Sequence, residues 1–389
     1  MSKILHVMLV NFYIEGAGYQ ENLLPKFHKL QGHEVYIVTN HNDWAKRPIF
    51  NRREYINNDG INVTVLPSRK MPKNKYFQII TGVFSQKVIG FYEFLDHLKP
   101  EIIFVHGAQG VDNLDVVKYK LKNSSVRVFV DSHSDYYNTP IKTISNRILY
   151  KCIFSYFAKR LYSVCETFWG VTPWRIEYLR DVFDLPEEKT KLLVMGGDDS
   201  RIDYAHKDKI RAEFRLKHNI ADNEYVIVTG GKIDRTKNIH LLIEALGNNE
   251  KIRLIVFGKP TNDFESEIDN LMRKYPRVIN IGWIDSSDVY KYFLAADLAF
   301  FPGTHSVLWE QAAACGIPLV VKNWAGMQHV NVGGNCRFLE DVTVESIKSL
   351  VAEIFSDDAT AFKEMKKIAE GTAREEFLYS NIAKRAIGE

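Results

Sequence analysis

The sequence predicts an α/β protein built from two Rossmann-like domains. Three observations carry this. Short apolar runs alternate with helix-like segments, the pattern that parallel sheets leave in a sequence. The pattern pauses in a glycine-rich acidic turn and starts again near 224 with a strand running into glycines. The length of 389 residues suits two domains, each able to bury its own core.

The first unit is a strand at 3–10, a glycine turn with a helix (GAGYQENLLPKFHKL), and a second strand in GHEVYIVTN. Apolar runs follow at 61–66, 101–107, 126–132 and 167–172, with a helical stretch from about 141 to 164. TKLLVMGGDDSRID (190–203) ends a strand in two glycines and an acidic turn and reads as a hinge. The second set of strands lies in EYVIVTGGK (224–232), RLIVFG (253–258), VINIGWI (278–284), LAFFPG (298–303) and IPLVV (317–321). NIHLLIEAL (238–246) places Ile239, Leu242, Ile243 and Leu246 on one helix face. The expected divisions are 1–197, 198–365, and a polar helical tail at 366–389 returning to the first domain.

Hydrophobic residues make up 46% and charged residues 25% of the chain, which excludes a disordered protein. The net charge of +3, with no basic stripe, argues against nucleic acid as a partner. Cys152, Cys165, Cys315 and Cys336 are scattered without metal-ligand spacing, which suits a reducing cytoplasm and neither a zinc site nor a disulfide framework. The N-terminal apolar run is interrupted by His6 and reads as a buried strand, not a signal peptide. No stretch is long enough to span a membrane as a helix.

Two segments concentrate chemistry. In GGKIDRTKNIHLLIEAL (230–246) a strand ends in glycines, and a helix begins within a few residues, with Lys232, Arg235 and Lys237 in the loop between. Glycines allow close backbone approach, and a helix start offers unpaired N–H groups and a positive dipole end, so the loop suits a diphosphate. As plain loop charges, the same residues would need no ligand. In FFPGTHSVLWEQAAACGIPLVV (300–321) a strand runs into PGT and then a short helix carrying Glu310 and Gln311. A carboxylate at the ligand-binding edge of an open sheet can accept both hydroxyls of a ribose. A helix-start acid that merely complements the dipole is the plainer alternative.

In this order these segments resemble the family-4 retaining glycosyltransferases of the GT-B fold (glycosyl transferases group 1). GKIDRTKN is similar to the family's basic glycine loop, with Lys232 at its arginine position and Lys237 at its lysine. PGTHSVLWEQAAACGIP is similar to its glutamate signature, EGAGYQENLL to its first glycine-rich loop, and HGAQG and DSHSD to its histidine-bearing strand ends. The resemblance covers nearly the whole chain and implies two domains facing a donor cleft. The sequence departs from the family at the paired glutamates. Counting back from Glu310 or Gln311 lands on Pro302 or Gly303, so the first glutamate is missing and His305 and Ser306 stand in that loop. Counted from Cys315–Gly316, the second falls on Gln311, with Glu310 one residue early.

The resemblance implies transfer of a sugar from a nucleotide-diphosphate-sugar, a UDP-sugar foremost, to a surface-glycan or lipid-linked acceptor. Lys232 and Lys237 would stabilise the leaving diphosphate, and no metal or cofactor beyond the co-substrate is expected. His133 is the first-domain candidate for contact with the transferred sugar, and His106 a weaker one. Gly16, Gly18 and Gly231 would admit the sugar and phosphates, and Ile284 and Gly258 would border the base through backbone groups. His305, Ser306, Glu310 and Gln311 complete the donor-binding set. Between the last two, chemistry favours Glu310 and the family register Gln311. Trp283 and Trp309 are expected to pack.

The stretch 141–164 interleaves Lys142, Arg147, Lys151, Lys159 and Arg160 with Ile, Leu, Phe and Tyr, and 68–84 begins basic and turns apolar. Such segments suit peripheral attachment to an anionic membrane surface, or else a core helix with a solvated basic face. Two other functions fit the same residues: a nucleotide-sugar epimerase, which needs no acceptor, and a non-catalytic nucleotide-sugar-binding module, favoured by the missing glutamate and opposed by the retained lysines.

Overall fold

The structure is a computed structural model and is described for residues 1–10, 13–40, 53–68, 87–139 and 141–389. The chain forms two compact units: Met1–Val194 with Ile382–Glu389, and Met195–Asn381. The C-terminal tail is therefore divided. Residues 366–381 belong to the second unit, and only residues 382–389, which include the last part of helix Tyr379–Ala386, belong to the first. Nor is the tail simply polar, because Tyr379, Ile382, Ala383 and Ala386 are buried.

The first unit holds a sheet with strands β1 (Lys3–Met8), β2 (Glu34–Thr39), β3 (Arg53–Ile56), β4 (Asn62–Val65), β5 (Ile102–His106), β6 (Arg127–Ser132), β7 (Thr167–Gly170) and β8 (Thr190–Leu192). Their order is β3-β4-β2-β1-β5-β6-β7-β8, parallel except for the β3–β4 pair. Strands of a doubly covered parallel sheet are apolar on both faces, which is why KILHVM is almost continuously buried. Flanking helices start on recognisable signals, such as Thr172 capping Arg175 N–H with Pro173 at the first helical position.

The second unit holds β9 (Tyr225–Gly230), β10 (Ile252–Phe257), β11 (Val278–Gly282), β12 (Leu298–Phe301), β13 (Leu319–Lys322) and β14 (Cys336–Leu339). All pairs are parallel, in the order β11-β10-β9-β12-β13-β14. This is the doubly wound Rossmann order, with its reversal between β9 and β12. The corresponding reversal in the first sheet lies between β1 and β5. Open α/β sheets bind ligands beyond the carboxyl ends of strands at such a reversal. Leu242, Ile243, Leu254, Val256, Phe264 and Phe300 make the centre of the second core. Trp309 is fully buried, whereas Trp283, expected to pack, is 74% exposed. No helix of the described residues is long and apolar enough to cross a membrane.

Candidate nucleotide-sugar site

In the second unit, β9 ends at Gly230 and the chain turns through Gly231 at φ +109°. A side chain on Gly258, at φ +119°, would put its Cβ 1.8 Å from the Gly231 carbonyl oxygen. The Gly258 N–H donates in turn to the Gly282 carbonyl at 2.7 Å. The ends of β9, β10 and β11 thus meet backbone to backbone, and only glycine permits it. Ile284 follows this edge half-buried.

The lysine loop is clamped to the segment after β12. A Cβ on Gly303 would lie 2.3 Å from Lys237 Cα. Asn238, in the left-handed conformation at φ 53°, donates from its side chain to the Pro302 carbonyl at 3.1 Å. The Lys237 ammonium donates to the carbonyls of Thr304 (2.7 Å) and His305 (3.2 Å). An ammonium has three protons, so one remains for a ligand. Burial lowers the Lys237 pKa, with Asp234 opposing the shift. Lys232 is exposed and lies 3.4 Å from Asp234. Arg235 is committed elsewhere: it pairs with Glu267 at 2.8 Å and lies over the Phe264 ring at 4.5 Å.

Glu310 and Gln311 begin the short helix Leu308–Ala314, and both are buried. Glu310 Oε1 accepts from His305 Nε2 at 2.7 Å and from His329 Nε2 at 2.9 Å. Burial pushes its carboxyl pKa up, but His305 and then His329 outweigh this and hold it well below the usual carboxylate range. Oε2 has no hydrogen-bond partner. This shifts the balance between the two ribose candidates. With Oε1 serving two imidazoles, only Oε2 is left to accept, so Glu310 keeps no advantage in acceptor atoms over the Gln311 amide, and the family register then favours Gln311. Gly231 and the helix face adjoin, since a Cβ on Gly231 would lie 3.0 Å from Leu308 Cδ1. The Leu308 N–H reaches Ser306 Oγ at 3.5 Å.

The donor atoms of His305, Glu310 and His329 lie within 4.8 Å of one another, a set that could hold a divalent cation. The same atoms satisfy each other as two N–H···O bonds, and His329 Nδ1 lacks the partner that orients a metal-bound imidazole. They read as a hydrogen-bonded cluster that seats the helix. Sequence reasoning missed His329, because nothing in its local sequence marks it as a partner of Glu310.

In the first unit, His133 follows β6 and is a quarter exposed, with Nε2 3.8 Å from Asp131 Oδ2 and 3.9 Å from Glu21 Oε1. Burial lowers its pKa, but Glu21 and then Asp131 leave the net shift upward. His106, the weaker candidate, is wholly buried and bonded inside the sheet, so it faces no ligand. Gly16 sits at φ +77°, which favours glycine; a Cβ on Gly18 would meet nothing within 4 Å, so no crowding requires glycine there.

Residues 210–374 match the family described as glycosyl transferases group 1. Among curated proteins, an uncharacterised glycosyltransferase of Methanocaldococcus jannaschii is 23% identical over 220 residues, covering 54% of this chain and 56% of that protein. Sucrose synthase 1 of Oryza sativa subsp. japonica is 22% identical over 214 residues, covering 49% of this chain and 26% of that protein. Among solved structures, HepE of Anabaena in complex with UDP aligns with a TM-score of 0.67 at 14% identity, covering 98% of both chains. WaaG, a glycosyltransferase involved in lipopolysaccharide biosynthesis, aligns at 0.61 and 15%, covering 99% of this chain and 100% of that one. Sucrose-phosphate synthase of Thermosynechococcus elongatus aligns at 0.62 and 17%, covering 99% and 97%. At these identities the structural likenesses establish the fold.

Proposed function

We propose that this chain, a group 1 glycosyltransferase by its domain and fold, moves a sugar from a UDP-sugar to a glycan or lipid-linked acceptor with retention at the anomeric carbon. The observation that carries the proposal is the glycine-only backbone where β9, β10 and β11 end, with the Lys237 clamp beside it on the β12 side of the reversal. It stands where doubly wound sheets bind nucleotides. HepE of Anabaena in complex with UDP-glucose, a structural neighbour, supports the choice of donor.

In this reading the barrier is loss of a diphosphate from an oxocarbenium-like centre. The remaining Lys237 proton and the exposed Lys232 ammonium stabilise the developing charge, and because the clamp fixes Lys237 beforehand, little reorganisation is needed. Gln311 binds the ribose, and Gly231 and Gly258 let backbone reach the nucleotide. The first unit's contribution is His133, a hydrogen-bond donor to the transferred sugar.

The acceptor side rests on a surface of the first unit. Ile144 (78%), Ile148 (54%) and Tyr156 (53%) are exposed apolar residues among Lys142, Arg147, Lys151 and Arg160. Phe157, Ala158 and Leu161 of the same segment are buried, so the segment has a core face and a basic apolar face. We assign the latter to an anionic membrane carrying the acceptor. The second basic stretch, 68–84, lies outside the described residues except for Ser68. The test is UDP release from candidate UDP-sugars with and without acceptor lipid. Release that requires acceptor supports transfer. Conversion of the sugar nucleotide without acceptor would replace it with epimerisation, and binding without turnover would leave a binding module.

A further inference from the structure

Three histidines in the first unit form a line that the proposed reaction does not use. His106 Nδ1 lies 2.9 Å from Asp131 Oδ2, and His106 Nε2 lies 3.0 Å from His6 Nδ1. His6 Nε2 lies 3.0 Å from His28 Nδ1, and His28 Nε2 lies 2.8 Å from the Ala383 carbonyl. All three rings and Asp131 are fully buried. Ring centroids stand 5.3 Å (His6–His106) and 5.1 Å (His6–His28) apart, with interplanar angles of 22° and 28°. That separation equals two ring radii plus the N···N contact, so the rings join edge to edge like links and do not lie face on face.

The ends of this line fix its proton count. A carboxylate and a carbonyl both accept only, so both terminal ring nitrogens must carry protons. Each N···N contact needs one more. Four contacts require four protons, and three neutral imidazoles supply three. With three, one pair of nitrogens would face lone pair to lone pair among fully buried side chains, and the buried carboxylate would lose the countercharge it is hydrogen-bonded to.

We propose that Asp131, His106, His6 and His28 form one buried chain holding four protons, with the imidazolium on His106 and neutral Nε2–H tautomers on His6 and His28, and that this chain positions Asp131 beside His133. Burial pushes the Asp131 carboxyl up, but His106 and then His133 outweigh it and hold the carboxyl below its ordinary range. Burial lowers His6 and His28, as neutral rings require. The groups facing the line are few. His33 stands edge-on to His28 at 6.0 Å and pairs with Glu389 at 3.5 Å. Gln20 donates to Asp131 Oδ2 at 3.1 Å, and Phe104 packs on His6 and His106. His133, with Glu21 beside it, closes the Asp131 end. None of these supplies the missing proton within the four contacts. The proton count stands without the glycosyltransferase reading; the positioning of His133 rests on it.

Nitrogen-15 NMR of the full chain with labelled histidine tests the count directly. The expected spectrum at neutral pH has one ring protonated on both nitrogens and two protonated on Nε2 only. Three neutral rings overturn the proposal whatever the activity. Asp131→Asn replaces an acceptor with an amide that can donate to His106 Nδ1, so three protons then suffice. The imidazolium signal should vanish with the fold retained, and its persistence would be fatal. For the positioning role, Asp131→Asn should lower kcat and move the acid limb of the pH profile downward, because His133 loses a neighbouring anion. An unmoved profile in an active variant refutes that role while leaving the NMR result to decide the chain.

Discussion

His329 donates a 2.9 Å hydrogen bond to Oε1 of Glu310, across 19 positions of sequence, and with His305 on the same oxygen leaves the carboxylate only Oε2 to offer a ligand.

Glu310→Gln should therefore be a stability mutation before it is a binding mutation. It removes the charge from two hydrogen bonds and buries an amide N–H₂ without a partner, at a cost of ~1–3 kcal/mol. The melting temperature should fall while UDP affinity, by isothermal titration, changes less than in Gln311→Ala. That second variant should lose ~0.5–1.5 kcal/mol of UDP binding. A Glu310→Gln protein with the wild-type melting temperature and no UDP binding would return the ribose to Glu310.

Lys237→Ala should cut kcat by ~10²-fold or more, since it removes one preorganised donor and loosens the 304–305 loop. Lys232→Ala should lose turnover with little change in stability, because it is an exposed side chain paired with Asp234 of the same loop. Arg235→Ala should leave kcat near wild type. Steady-state kinetics on the three variants separate the roles, and near-wild-type turnover in both lysine variants removes the diphosphate site.

Gly258→Ala tests the backbone contact. A Cβ placed 1.8 Å from the Gly231 oxygen cannot be accommodated without moving the end of β9. UDP binding should be lost even where circular dichroism shows a folded protein. Retained affinity would mean the nucleotide does not use this edge.

Stability should fall on mild acidification. Burial depresses His28 from 6.5 to about 3, and His6 also lies well below its ordinary value. Below about pH 6.5 the unfolded chain binds protons that these folded rings refuse, so the stabilisation present above that pH is lost as pH falls toward the folded value. Each ring contributes ~1.4 kcal/mol per pH unit within that window. Urea titrations between pH 7 and 4 should show the slope, and a flat profile would mean the rings are already protonated in the fold.

Binding to anionic vesicles should weaken with salt. Replacing Lys151, Lys159 and Arg160 with Ser should reduce it, with Lys159 contributing least because Asp184 holds it at 2.6 Å. Ile144→Ser with Ile148→Ser should reduce it further, since those side chains are exposed. Sedimentation with vesicles decides it, and a wild-type protein that stays in solution at low salt removes the membrane face.

The two parallel sheets were legible because buried parallel strands write continuous apolar runs and their turns write glycines: EYVIVTGGK and LAFFPG both became strand ends at the β9–β12 reversal. The local chemistry of Lys237 was legible in kind and not in geometry. Its two carbonyl bonds depend on Gly303, which folding brings against it. Long-range polar pairs were not legible. Nothing near Glu310 names His329, and His6 registered only as a break in an apolar run, although it is the middle link between His28 and His106. A histidine inside a buried strand is the one local sign that such a partner exists.

The Ala383 and Ala386 carbonyls accept hydrogen bonds from His28 and Trp169, so residues 382–389 finish a buried structure begun within residues 1–194. On the ribosome this inverts the usual sequence of events, in which N-terminal parts fold first. The second unit has its whole chain available before the first has its last strap. Until synthesis passes residue 383 the His28 ring has no acceptor beyond it, and until it passes residue 386 the Trp169 indole lacks its partner. The first unit is completed only after the second has been made, and loss of residues 382–389 should show its damage in the first unit.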